Sequence, residues 1–162
     1  PSALSPVEAW TRTVAYALDE NVSAVVLAGD VVDNDRDQFE AYGHLERGIQ
    51  RLAKAGIQVV AVAGNHDGLV LPRLAKSLAH TSFRLLGKDA RWERLEIDAQ
   101  TPVDLMGWSF PKNRWKDNPL HSPGLSEALG ERRQNAALLA VVHADLDGGS
   151  SHYAPVSSHE LT

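Results

Sequence analysis

The stretch Ile57-Gln58-Val59-Val60-Ala61-Val62-Ala63-Gly64-Asn65-His66-Asp67 decides the fold of this chain. A mostly apolar run, typical of a buried β-strand, ends at a glycine that permits a sharp turn, and three polar residues follow at once. Asn65 offers a neutral oxygen ligand, His66 can carry a proton near neutral pH, and Asp67 can orient an imidazole. Because sites in α/β proteins lie at the carboxyl ends of strands, this stretch predicts a functional site.

Two further apolar runs end in the same way. The run Val25-Val26-Leu27-Ala28-Gly29 leads into Asp30, with Asp33 three residues later, and residues 138–142 lead into His143. We therefore expect Asp30, Asn65 and His143 to converge at one edge of the fold although they are far apart in sequence. The chain has no cysteine. Any metal must use Asp, Asn and His, which suit manganese, iron or zinc.

Around these runs, strands alternate with helices along the chain. Ser5-Pro6-Val7-Glu8 is typical of a helix start, with Ser5 as the N-cap. The early order of helix, strand, helix, strand predicts a βαβ unit with parallel strands, and the later strands predict an antiparallel or mixed second sheet. The tail from residue 145 is predicted to be loop, with a helix starting near residue 157. Predicted helices cover about residues 37–55, 71–79 and 124–133, the last capped by Ser122-Pro123; predicted strands cover 24–28, 57–62, 83–86, 91–97, 103–110 and 136–142.

Composition limits the class of protein. With 162 residues the chain is long enough for one domain with a sizeable core. It contains no apolar run long enough to cross a bilayer and no visible signal peptide, so we expect no membrane partner and a cytoplasmic location, which the lack of cysteine also fits. The net charge of −5 gives no basic surface of the kind that nucleic-acid binders carry, which argues against DNA gripping by this segment alone. The composition does not indicate an oligomeric state.

The three strand-end motifs together resemble a known family. Gly29-Asp30 with Asp33, then Gly64-Asn65-His66-Asp67, then a later strand-terminal His143, is similar to the calcineurin-like metallophosphoesterases. The resemblance covers most of the chain. It implies an α/β fold, a two-sheet sandwich flanked by helices, and two divalent metal ions in the complete domain, manganese first, with iron or zinc as alternatives.

The same resemblance implies a role for each residue. Asp30 would bridge the two metals, and Asn65 and His143 would ligate the second. His66 would protonate the leaving oxygen without binding metal, and Asp67 would orient it. The alternative roles are structural: a helix N-cap for Asp30, a turn residue for Asn65, and a structural histidine for His66 or His143.

The sequence allows two roles for Asp33. It either organises the loop around the metal ligands or is an exposed turn residue. The remaining histidines are interpreted as surface or loop residues, and two tryptophans as packing residues: His44, His80, His121, His152 and His159; Trp108 and Trp115.

Later segments are similar to the DNA repair exonuclease branch of the family, the SbcD-like and YhaO-like proteins. They are His143-Ala144-Asp145-Leu146-Asp147, Tyr153-Ala154-Pro155-Val156, Glu160-Leu161 and Val103-Asp104-Leu105-Met106-Gly107-Trp108. The branch implies metal-dependent phosphodiester hydrolysis as a DNA exonuclease, with DNA and a partner ATPase as partners. Two alternatives remain: a phosphatase or small-molecule phosphodiesterase, which the acidic charge favours, and a non-catalytic interaction module.

Two parts of the family pattern have no match in this chain. The pattern begins with D-x-H at the end of the first strand and closes with G-H-x-H, and neither occurs here. We therefore expect the chain to be a segment of a single catalytic domain, incomplete at both ends and inactive by itself.

Overall fold

The computed structural model describes residues 5–32 and 38–161, without the side chains of residues 38–40. The α-helices are α1 (Pro6–Asp19), α2 (Gln38–Lys54), α3 (Val70–Ser77) and α4 (Leu125–Gly130). The strands are β1 (Ala24–Ala28), β2 (Gln58–Val62), β3 (Phe83–Leu85), β4 (Glu93–Ile97), β5 (Val103–Trp108), β6 (Ala137–Val142), β7 (Asp145–Leu146) and β8 (Pro155–Val156). Short 3₁₀ helices occupy Lys88–Ala90, Pro119–His121 and Ser158–Leu161.

The strands form two three-stranded sheets and one small ribbon. The first sheet is entirely parallel, in the order β1-β2-β3, and places Ala28 opposite Val62. In the second sheet β4 runs antiparallel to β5, and β5 runs parallel to β6. The predicted βαβ unit is confirmed, and a mixed second sheet is present, but the strand at residues 83–86 was expected in that second sheet and β3 pairs with β2 in the first sheet instead. Strands β7 and β8 pair parallel to each other.

The burial of the central strand β2 explains why residues 57–63, which lead into Gly64-Asn65-His66-Asp67, are so apolar. Val59 and Ala61 face the core beneath the helices, whereas Val60 and Val62 face the second sheet. All four are completely buried. A parallel strand with both faces covered needs a continuous apolar run instead of an alternating one. The two sheets and the helices thus form a mixed α/β fold centred on β2.

Helix α1 begins as its sequence predicts and packs on α2. The Ser5 hydroxyl accepts a hydrogen bond from the Glu8 backbone N–H at 3.2 Å, and Pro6 takes the first turn. The Trp10 indole donates to the His44 carbonyl at 3.0 Å. A Cβ on Gly48 would lie 2.4 Å from the same indole nitrogen, so the helices approach this closely only because residue 48 is glycine.

Several predicted boundaries are wrong. Helix α4 is shorter than predicted and follows Gly124, whose φ of +87° turns the chain, so Ser122-Pro123 does not cap it. Instead the Pro123 carbonyl accepts a hydrogen bond from the Trp92 N–H. The tail contains the two short strands β7 and β8, which local sequence did not indicate, and the helix predicted near residue 157 is a 3₁₀ turn. Asp33 and residues 34–37 lie outside the described residues.

Among the residues that the structure describes, no helix is both long and apolar enough to cross a membrane.

Candidate metal centre

Two of the predicted ligands meet where the two sheets adjoin. Oδ2 of Asp30, just after β1, lies 3.3 Å from Nε2 of His143, just after β6. Each strand delivers its polar residue at its carboxyl end, as the pattern predicts. The fold thus brings together a carboxylate and an imidazole that are separated by more than a hundred positions in the chain.

The Asp30 carboxylate is also held by the loop of the second motif, residues 64–67. Oδ1 of Asp30 accepts a hydrogen bond from the backbone N–H of His66 at 3.1 Å. A Cβ on Gly64 would lie 2.2 Å from the same oxygen, so a glycine is required there. Asn65, which lies between Gly64 and His66 in the chain, is half-buried, whereas His66 is exposed. The loop backbone at Gly64 and His66 therefore lies against the Asp30 carboxylate.

Gly29 determines how closely His143 approaches. Its φ is +90°, and a Cβ at this position would lie 2.6 Å from the Cβ of His143. The Phe110 ring meets the His143 ring edge-on, with centroids 5.9 Å apart. The His143 side chain is thereby packed between the first motif loop and the end of β5.

Asp67 joins the two motif loops and does not play the orienting role expected of it. Its Oδ1 accepts from the Val32 N–H at 3.1 Å and its Oδ2 from the Gly64 N–H at 2.8 Å. Among the described residues, no hydrogen bond joins Asp67 to the His66 ring. The reason is position: the Asp67 side chain is fully buried beneath the loops, while His66 faces outward.

The environment of Asp67 raises its pKa above the ordinary value. Burial is the main cause, and the negative charge of Asp30 adds to it. The backbone N–H groups of Gly64 and Val32 oppose this rise, because they stabilise the charged form. Asp67 is therefore a buried structural carboxyl beneath the candidate site.

The donor set fits part of the coordination sphere of one divalent cation. A carboxylate, an imidazole and an amide oxygen from Asp30, His143 and Asn65 suit manganese, iron or zinc. Within residues 5–32 and 38–161, no group of three or more His, Asp or Glu side chains converges to hold a metal. The structure places the Asp30 and His143 side chains together, and a metal held there would need water or further ligands to complete its coordination.

His44 and His121 have partners away from the candidate site. His44 Nδ1 lies 3.3 Å from an Arg47 guanidinium nitrogen, and His121 Nε2 lies 3.5 Å from Glu160. The His152 side chain is exposed, and its carbonyl accepts from the Trp115 N–H.

The two tryptophans are packing residues. Trp108 is fully buried, and Trp115 is partly buried against it with ring centroids 6.1 Å apart.

Sequence reasoning missed one residue that supports the site. The Ser109 hydroxyl accepts a hydrogen bond from the Ala63 N–H at 2.8 Å and donates to the Leu86 carbonyl. The next residue, Phe110, donates its N–H to the Ala63 carbonyl at 2.9 Å. Ser109 thus ties the second sheet to the end of β2, immediately before the second motif. A polar residue directly after the apolar β5 run was the available signal.

Comparison with known proteins agrees with this architecture. The family described as calcineurin-like phosphoesterase matches residues 5–161. The chain is also 39% identical over 61 residues to the DNA double-strand break repair protein Mre11 of Haloferax volcanii. That match covers 38% of this chain and 14% of the relative.

Proposed function

This chain belongs to the calcineurin-like phosphoesterase family, and from that premise we propose that it serves metal-dependent hydrolysis of phosphodiester bonds in DNA. The observation that carries the proposal is the 3.3 Å approach of Asp30 to His143, held by the Gly64–Asp67 loop. The motif residues therefore form one cluster rather than three separate loops, as a shared metal centre requires.

In the proposed site, Asp30, Asn65 and His143 would hold divalent metal, which would stabilise the charge of the phosphate and activate the attacking water. His66, whose side chain is exposed, would donate a proton to the leaving oxygen. Its backbone N–H meanwhile fixes the Asp30 carboxylate, so one residue contributes to both positioning and proton transfer.

The similarity to a segment of a DNA double-strand break repair protein supports DNA as the substrate, and exonuclease action is the reaction that we propose. Manganese as the metal and a partner ATPase belong to the same proposal. One alternative has its own support: the net charge of −5 favours a small-molecule phosphodiester over a polyanion.

The test uses the complete natural polypeptide with manganese, iron or zinc. We expect hydrolysis of bis-p-nitrophenyl phosphate and of linear duplex DNA, and loss of both with Asp30→Ala. Hydrolysis of the small diester without DNA cleavage would support the alternative. Activity toward p-nitrophenyl phosphate alone would indicate a phosphatase. No hydrolysis with any of these metals would reject the proposal.

A further inference from the structure

The loop after β5, residues 111–118, lies directly beside the candidate metal centre. It starts after Phe110, whose N–H donates to the Ala63 carbonyl just before the second motif. The Asn113 side-chain oxygen lies 3.8 Å from the position that a Cβ on Gly68 would occupy, and Gly68 directly follows the second motif. The loop therefore borders the site on the side of His66.

This loop concentrates exposed positive charge in an acidic chain. Lys112, Arg114 and Lys116 alternate along it, and all three are exposed. None of them takes part in an ion pair within residues 5–32 and 38–161, whereas Arg94 and Arg133 are paired with buried Asp104. The only carboxylate within the loop is Asp117. Within the described residues, the three cations thus have no carboxylate partner that would explain their positions.

The middle of the loop is anchored at Trp115 by hydrogen bonds and ring packing, so the backbone that carries the cations is held in place. Trp115 donates its N–H to the His152 carbonyl at 2.8 Å and accepts at its own carbonyl from the Ala154 N–H at 2.7 Å. Its ring packs against Trp108, which is fully buried. The Lys112 ammonium lies 5.7 Å from the centre of the Trp115 ring. Less conformational entropy is lost when a ligand meets charges held in this way.

We propose that the 111–118 loop binds the backbone phosphates of a polynucleotide that flank the phosphodiester in the metal centre. The inference rests on the proposed function and extends it to the substrate class. When exposed Lys and Arg side chains that have no carboxylate partner meet such phosphates, condensed counterions are released from the nucleic acid, which drives binding. A net acidic protein can bind DNA in this way because the positive charge is local and adjoins the site.

The experiment measures DNA binding separately from catalysis. The complete natural polypeptide and its Lys112→Gln/Arg114→Gln variant are titrated against a fluorescein-labelled 30-base-pair duplex in EDTA, over a series of NaCl concentrations. We expect the salt slope of the binding constant, log K against log[NaCl], to fall in magnitude by about 2 in the variant, roughly 1 per lost phosphate contact.

A matched control removes the same charge at the opposite end of the fold. Arg51→Gln/Lys54→Gln alters exposed residues in the last turn of α2, which precedes the amino end of β2. This variant should keep the wild-type slope. The same slope in the loop variant and the wild type would overturn the inference, as would an equal decrease in both variants. No salt-dependent affinity of the wild type for the duplex would also overturn it.

Two readouts distinguish a loop that does not bind DNA from a protein that lacks the proposed function. Hydrolysis of bis-p-nitrophenyl phosphate by the wild type tests the metal centre and needs no contact with flanking phosphates. An enzyme that hydrolyses this diester but shows an unchanged salt slope in the loop variant would retain the proposed function and lose the loop inference.

Discussion

At the scale of single residues, Asp30 connects three parts of the fold. Its two carboxylate oxygens face different partners, the His66 backbone N–H and the His143 ring. It has a positive φ of 46°, which is uncommon for a residue with a side chain. A strained backbone at a strand end, held by contacts from two other loops, is characteristic of functional positions. Substitutions around Asp30 should therefore separate metal binding from proton transfer.

The first prediction separates these two roles. In the complete polypeptide, His66→Ala should lower turnover about 10²–10⁴-fold, the usual contribution of general acid catalysis, and leave manganese affinity unchanged. Asp30→Ala should weaken both. Turnover on bis-p-nitrophenyl phosphate and calorimetric titration with manganese measure the two quantities. Loss of manganese binding in His66→Ala, with the rate per bound metal unchanged, would show that His66 is a ligand instead.

The second prediction concerns two glycines with similar backbone conformations. Gly29 and Gly56 have φ of +90° and +80°, so alanine at either position should cost roughly 1–2 kcal/mol of unfolding free energy. Only at Gly29 would the new Cβ press on His143; at Gly56 nothing lies within 4 Å. Gly29→Ala should therefore also weaken manganese binding. Urea denaturation and calorimetry check this, and equal manganese affinity in both variants would contradict the geometry.

At the scale of elements, a group of ion pairs fastens β4 and β5 to the segment before β6. The Asp104 carboxylate of β5 is fully buried. It accepts from the Arg133 backbone N–H at 2.6 Å and from its guanidinium at 2.7 Å, and Arg94 of β4 lies 3.1 Å away. Burial raises the pKa of Asp104, but the hydrogen bonds from Arg133 and the charges of Arg133 and Arg94 outweigh it, so the pKa is lowered.

The third prediction follows from the sign of that pKa change. A carboxylate with a lowered folded-state pKa stabilises the fold above the ordinary Asp pKa of about 3.9, and this stability is lost as pH falls through the lowered value. Asp104→Asn should reduce stability at pH 6 and make little difference in strong acid. Urea denaturation midpoints of both proteins at pH 6 and in the acid limb measure it. A constant difference at every pH would show that the Asp104 charge is not responsible.

At the scale of the whole molecule, the outer strands of each three-stranded sheet are paired on one side only within the described residues. Strand β1 is one of these edge strands in the first sheet, and β6 is one in the second. A groove of about 730 Å³ lies between them, with Val26, Leu105 and Leu139 in its wall. Leu139 is 46% exposed, although it lies within an apolar strand. Unpaired apolar edges of this kind favour association with other strands.

The fourth prediction concerns the 162-residue chain by itself. We expect low manganese occupancy and little or no turnover, because its described ligands are those of one partial site and two-metal catalysis needs both cations. Calorimetry with manganese and assays on bis-p-nitrophenyl phosphate and linear duplex DNA test this. Tight binding of two metals, or robust turnover, would show that other residues complete the site, His152 and His159 first among them.

The fifth prediction uses the same chain. The exposed edges of β1 and β6 should cause concentration-dependent self-association, since strand edges pair readily. Sedimentation velocity over a range of concentrations measures it. Leu139→Lys should reduce the association, because a charged residue on an edge strand disfavours pairing with another strand. A monomer at every concentration would contradict the expectation.

The sequence alone determined the parts of this protein that local chemistry encodes. Apolar runs ending in Gly29 and Gly64 predicted strands with polar residues at their carboxyl ends, although of these two strands only β2 is buried as expected and β1 is half-buried. The alternation of helix and strand predicted the parallel pairing of β1 with β2. The approach of Asp30 to His143 was expected from the same rule, but these residues follow strands of different sheets, so the packing of the two sheets decided their distance.

Only the tertiary structure decided the contacts between elements. Asp67 bonds Val32, 35 residues earlier, instead of the adjacent His66 ring, because the buried side chain faces the neighbouring loop. The pairing of β7 with β8 and the position of the 111–118 loop beside Gly68 likewise depend on how distant segments dock. Periodicity and turn chemistry act over a few residues, whereas these contacts exist only after the two sheets have packed together.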